Sequence, residues 1–158
     1  MGTVRVVALL MLTPASIVAI LGFGPRARCF AALLAPRGCA LRAWDPAPPD
    51  AGAAVRAHIE AAGVDAVDEP DTALRGARLV VLDTVPMTGT LHALLQPGQK
   101  VLDLRTAAAA DIDAVLVALG VPPAAACWAT HEAALAGAVA NSATADPHTP
   151  LVRRGELP

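Results

Sequence analysis

The residues best suited to chemistry in this chain lie in one short stretch, GFGPRA, from Gly22 to Ala27. Its small residues follow the spacing G-x-G-x-x-A, and each answers a mechanical need. Gly22 permits a tight turn out of a strand, and Gly24 lets a pyrophosphate come close to the backbone. Ala27 lets the following helix pack on that strand. A helix starting here offers free N–H groups and the positive end of its dipole to an anion. Phe23, Pro25 and Arg26 complete the turn. Pro25 has no N–H to give a phosphate, and the Arg26 guanidinium either replaces that donor or is simply solvated.

Downstream, Asp45 closes the apolar run ALRAWD. A carboxylate at the end of a second strand accepts hydrogen bonds from adenosine ribose hydroxyls and repels a 2′-phosphate. The pattern therefore predicts a bound dinucleotide, NAD or NADP, with NAD favoured by Asp45. Arg42 on the same run pulls the other way, unless it is only an exposed strand charge. A purely structural glycine turn in another α/β fold is the second reading, and the residues alone leave it open.

Other groups able to move a proton are scattered. Lys100 is the single lysine and follows a Pro97-Gly98 turn, which places it at the N-terminal end of a strand. Ligands in open α/β sheets gather at the carboxyl ends, so Lys100 reads as a solvated charge. His131, beside Glu132, would lie on the ligand side and titrate near neutrality, but it reads more simply as a loop histidine. His58, His92 and His148 read as surface residues. Asp111 and Asp113 open a helix, where dipole and capping effects explain them. Asp83 and Asp103 fall within or near buried strands, where either could satisfy backbone N–H groups, and neither has a visible partner. Cys29, Cys39 and Cys127 are odd in number and far apart, which suits a reduced, cytoplasmic compartment better than a disulfide framework. No catalytic residue and no metal ligand is assigned.

The elements that must hold the turn alternate in period. IVAILG, Ile17 to Gly22, is a continuous apolar run, as a strand covered on both faces should be. Ala27, Phe30, Ala31 and Leu34 recur at helical spacing, with Pro25 suited to the first turn and Gly38 to the stop. ALRAWD is a second strand, and Asp50 is expected to cap a helix running to Ala62. A short third strand near Asp65–Val67, a brief helix in EPDTALRGA and a fourth strand in RLVVLDTVP follow. Next come a helix around Thr88–Leu95, a fifth strand in KVLDLRT and a helix from Ala108 to Leu119. AAACWATHE is expected as a sixth strand, and the tail from Asn141 as loop, with TPLVR a candidate edge strand. The pattern predicts an α/β fold, a Rossmann-type doubly wound and mainly parallel sheet with helices on both faces.

One domain is expected from 158 residues, with residues 16–158 forming it and residues 1–15 an N-terminal extension. An apolar content of 55% against 16% charge excludes a disordered chain. A net charge of −2 and 3% aromatic residues give no basis for nucleic-acid binding. Val6 to Gly24 is nearly uncharged and long enough to suggest a membrane span or a signal peptide. Pro14 and Ser16 divide it, however, and its second half reads as a buried strand, so a membrane span is disfavoured. A start at Met11 is a further reading.

The order of IVAILGFG…A, LRAWD, TALRGARLVVLDTVP, PGQKVLDLRT and HEAALAG resembles the N-terminal domain of the β-hydroxyacid dehydrogenases, among them 3-hydroxyisobutyrate and 6-phosphogluconate dehydrogenases. The resemblance runs from about Ile17 to Gly155. It implies that Thr84, Val85 and Pro86 line the dinucleotide, and that the Thr106 hydroxyl lies near nicotinamide and substrate. It also implies that Glu132 to Gly137 match a segment that helps hold the substrate carboxylate, so Gly137 joins Thr106 there. Arg105, Ala134 and Ala138 depart from the family pattern. In that family a lysine from a C-terminal helical domain is the general acid/base, and hydride transfer needs such a group. By this resemblance the chain binds a dinucleotide, and takes a small hydroxyacid-type substrate only where a helical domain is supplied. Its self-association is then an expectation too, through the face such a domain would cover. A stand-alone binding module without catalysis is the first alternative. A secreted or membrane-tethered α/β domain is the second.

Overall fold

The computed structural model describes residues 12–48 and 50–144. The alternative start at Met11, the apolar lead from Val6, His148 and the TPLVR edge strand lie outside the described residues. Among the described residues five strands form one parallel sheet: β1 (Ile17–Leu21), β2 (Ala40–Trp44), β3 (Asp65–Ala66), β4 (Leu79–Leu82) and β5 (Lys100–Asp103). Their spatial order is β3-β2-β1-β4-β5. The chain thus winds outward from β1 in one direction, then returns and winds outward in the other. That is the Rossmann-type order, and its reversal between β1 and β4 is where such sheets open a crevice.

Among the described residues six α-helices accompany the strands: α1 (Pro25–Leu34), α2 (Gly52–Ala61), α3 (Pro70–Leu74), α4 (Gly89–Leu94), α5 (Ala109–Ala118) and α6 (Trp128–Thr144). Alternate residues of the strands face opposite sides. Val18 and Ile20 of β1 pack with Phe30 and Leu34 of α1 and Ile112 and Leu116 of α5. Ala19 and Leu21 pack on the other face with Leu74 and Leu91. Helices on both faces explain why β1 and β4 read as unbroken apolar runs.

The glycine turn leads into α1 as expected. Pro25 occupies the first helical turn, where a missing N–H is harmless. Ala27, Phe30, Ala31 and Leu34 are its buried stripe. The helix tightens into a 3-10 turn and stops at Gly38, which has a φ of +78°.

Four expectations are corrected. AAACWATHE forms no strand. The backbone turns at Pro122, whose carbonyl accepts from the N–H groups of Ala125 and Ala126, and α6 starts at Trp128. Alanine favours helix, and tertiary contacts decide the matter. The Trp128 backbone N–H donates to Asp113 Oδ1 at 2.6 Å, and the fully buried indole stands edge-on to Phe30 at 6.3 Å. Among the described residues β5 is therefore an outer strand of the sheet, and Asn141 to Thr144 are helical rather than loop. Asp50 does not cap α2, whose first turn has no side-chain cap. Asp113 serves α6 across the packing interface, not the start of its own helix.

Candidate functional site

Strand register sets the geometry. Leu21 of β1 lies level with Trp44 of β2 and with Leu82 of β4, and Leu82 is level with Asp103 of β5. The residues that follow these strands, Gly22, Asp45 and Asp83, therefore meet at one edge.

Gly22 has a φ of +81° and donates its N–H to the Trp44 carbonyl at 2.8 Å. A side chain there would be strained by the backbone and would also collide with Thr84 and Val85. At Gly24 a Cβ would sit 2.5 Å from Thr84 Cγ2 and 2.6 Å from Asp83 Oδ2. Both glycines thus accommodate the loop after β4. The approach path assigned from sequence to a pyrophosphate borders side chains of the protein itself.

Two carboxylates converge on the turn. Asp45 Oδ2 accepts the Phe23 N–H at 2.7 Å, tying the end of β2 to the turn. Asp83, 2% exposed, accepts the Ala27 N–H through Oδ2 at 3.0 Å. This second bond places a negative group against the positive end of α1, where the helix dipole favours it. Its expected role of satisfying a backbone N–H is borne out, and the partner is now identified. Pro25 and Arg26 are exposed on the outer side of the turn, and Arg26 Nε lies 3.9 Å from Glu132 Oε1.

The cavity next to Asp45 has a volume of about 210 Å3 and is lined by Val55, Ile59, Val67 and Arg56 among others. Arg56 is held by Asp68 and lies 3.7 Å from Glu60. Arg42 is directed elsewhere, donating to the Arg75 carbonyl at 2.6 Å.

On the other flank Thr84 and Pro86 are exposed and Val85 is buried. Thr106 is exposed beyond β5 and borders a second cavity, of about 340 Å3, along that strand. Asp103 is chelated by Arg105, whose Nε and Nη2 lie 3.2 and 3.1 Å from its two oxygens. Partial burial opposes ionisation of Asp103, but the hydrogen bonds and charge of Arg105, aided by Arg26, outweigh it and hold the carboxyl below its ordinary value. Gly137 lies within α6, exposed, with open space where a Cβ would stand.

The remaining proton-carrying groups are engaged or remote. Lys100 sits at the N-terminal end of β5, as expected. His131 is helical rather than in a loop; its Nε2 lies 3.2 Å from the Ala125 carbonyl and its ring packs beside Trp128. The exposed Cys127 thiol hydrogen-bonds Thr130 at 3.1 Å, which draws its pKa down. Cys29, Cys39 and Cys127 are all free thiols. Among the described residues no cluster of His, Cys, Asp or Glu could hold a metal ion. No described helix is long and apolar enough to cross a membrane.

Sequence reasoning missed the engagement of Asp83 with α1 and the Asp103–Arg105 chelate. The available signal was an acid ending the otherwise apolar run LVVLD.

No family model matches the chain, and no curated protein matches it. Several solved structures are similar. A conserved hypothetical protein from Sinorhizobium meliloti 1021 matches at 23% identity and a TM-score of 0.47, over 66% of this chain and 37% of that one. The Mycobacterium tuberculosis 3-hydroxyisobutyrate dehydrogenase with L-serine matches at 24% identity and a TM-score of 0.45, over 66% and 36%. An imine reductase from Pseudomonas sp. matches at 19% and 0.43, over 66% and 37%. The matched part spans little more than a third of each of those proteins.

Proposed function

We propose that this chain is a dinucleotide-binding domain of the NAD(P) type. It would be the nucleotide half of an oxidoreductase that moves hydride between nicotinamide and a hydroxyacid-type substrate. The observation that carries the reading is the placement of Asp45. It follows β2, bonds the glycine turn through one oxygen, and borders a cavity at the carboxyl edge of a doubly wound sheet. A carboxylate with lone pairs to spare suits the two hydroxyls of an adenosine ribose. The apolar Val55, Ile59 and Val67 beside it suit a purine.

The adenosine half of such a ligand fits these residues, whereas the diphosphate half fits less well. Of the donors in the turn, Phe23 and Ala27 serve Asp45 and Asp83, and Pro25 has none. The N–H groups of Gly24 and Arg26 are left for a phosphate, with the Arg26 side chain nearby.

Asp45 favours a free 2′-hydroxyl, hence NAD over NADP. Thr84, Val85 and Pro86 would line the middle of the ligand, with Thr106 toward the nicotinamide. A nicotinamide supplies hydride transfer, and the proton must be moved by another group. Asp103 and His131 already have partners, and Lys100 is at the opposite edge, so on this reading a separately supplied helical domain carries that group. Gly137 and a small hydroxyacid substrate belong to that larger assembly, as does any homo-oligomer. The engaged acids also favour a second reading, a binding module that holds its ligand without turning it over. A cytoplasmic setting suits the free thiols.

The test is a titration of the folded chain with NADH, exciting tryptophan and following energy transfer to the reduced nicotinamide. Trp44, adjacent to Asp45, is a built-in reporter. A saturable signal below about 1 mM is expected. Its absence in a protein shown to be folded contradicts the reading.

A further inference from the structure

We infer that Asp83 is a specificity-determining residue, an internal anion on the phosphate side of the glycine turn that makes the site select the adenosine end of its ligand over the diphosphate. The inference rests on the dinucleotide reading above and sharpens it.

The geometry is local and specific. Asp83 follows β4, and its N–H donates to the Leu21 carbonyl at 3.3 Å, so its backbone is fixed beside the start of the turn. Its side chain is 2% exposed, and Oδ2 accepts the Ala27 N–H at 3.0 Å. That oxygen stands 2.6 Å from the point where a Cβ on Gly24 would project. The first turn of α1 thus already faces a negative charge, which offsets the positive helix end that otherwise attracts phosphate.

No neighbouring cation pairs with it directly, although Arg105 lies close enough to feel its charge. Arg26 leans toward Glu132, and Arg105 spends both its Nε and Nη2 on Asp103. Asp45 adds a second carboxylate on the same turn. A diphosphate laid along Gly24 therefore meets two fixed negative groups at short range, while an adenosine ribose beside Asp45 meets only hydrogen-bond acceptors.

The experiment compares adenosine, ADP and NADH by calorimetry on the wild-type chain and on Asp83→Asn. The amide keeps an oxygen to accept the Ala27 N–H and removes only the charge. Affinity for ADP and NADH should rise about tenfold or more, and affinity for adenosine should stay within about twofold. An unchanged or lowered ratio of NADH to adenosine affinity overturns the inference. If Asp83→Asn does not fold, the wild-type chain decides instead: adenosine should bind at least as tightly as ADP, and tighter binding of ADP overturns the inference. Should adenosine and NADH both fail to bind either chain, the dinucleotide reading falls and takes this inference with it. NADH binding that Asp83→Asn leaves unimproved removes the inference alone.

Discussion

Asp45 and Phe23 are joined by a hydrogen bond of 2.7 Å that closes the end of β2 onto the glycine turn. The bond gives Asp45 two tasks, to hold the turn and to face the cavity beside α2. Substitutions can separate them. Asp45→Asn keeps an acceptor for the Phe23 N–H and loses the charge. It should lower NADH affinity several-fold and narrow the gap between NADH and NADPH, measured by titration with each. Asp45→Ala removes the acceptor as well and should cost about 1–3 kcal/mol of stability in urea unfolding, because a partly buried N–H loses a charged partner.

Gly24 is constrained by the protein before any ligand arrives. Gly24→Ala should destabilise the chain by about 1–3 kcal/mol with no nucleotide present, since its Cβ meets Asp83 and Thr84 at 2.6 and 2.5 Å. Chemical denaturation of the ligand-free protein checks this. A stability within error of wild type would show that the β4 loop yields easily. Loss of NADH binding in Gly24→Val, by contrast, would not by itself identify a phosphate contact.

Much of this arrangement was legible in the sequence, for physical reasons that differ by element. β1 and β4 read as unbroken apolar runs because helices cover both faces. α1 read from the spacing of Ala27, Phe30, Ala31 and Leu34. AAACWATHE was ambiguous, since alanine gives no period; its helix is decided by Trp128 burying against Phe30 and by Asp113 capping it from another element. Asp83 was equally opaque. Its partner, Ala27, is 56 positions away, and only the β1–β4 register brings them together.

The docking of α6 offers a separate test. Trp128→Ala should cost about 3–5 kcal/mol, since the indole is fully buried. Asp113→Ala should cost about 1 kcal/mol through the lost cap on the Trp128 N–H. Urea titrations followed by circular dichroism would measure both. Equal and negligible losses would mean that α6 contributes little to the fold.

The Asp103–Arg105 chelate predicts a pH dependence. The folded-state pKa of Asp103 is depressed, so the stabilisation it gives is complete above the unfolded carboxyl value and fades as pH falls through the folded one. Arg105→Ala should therefore be less stable than wild type near neutrality, with the difference closing below about pH 4. Salt should narrow it as well, because Arg105 is partly exposed. A difference independent of pH would assign the loss to packing of the arginine stem.

The most direct test of the central claim is where NADH touches the chain. Backbone amide spectra of the 15N-labelled protein, recorded as NADH is added, should show saturable shifts at Phe23, Gly24, Arg26, Asp45 and Thr84, with Lys100 at the opposite edge unmoved. Shifts confined to the outer side of β5, or no shifts at all in the folded protein, would contradict a dinucleotide held at the glycine turn.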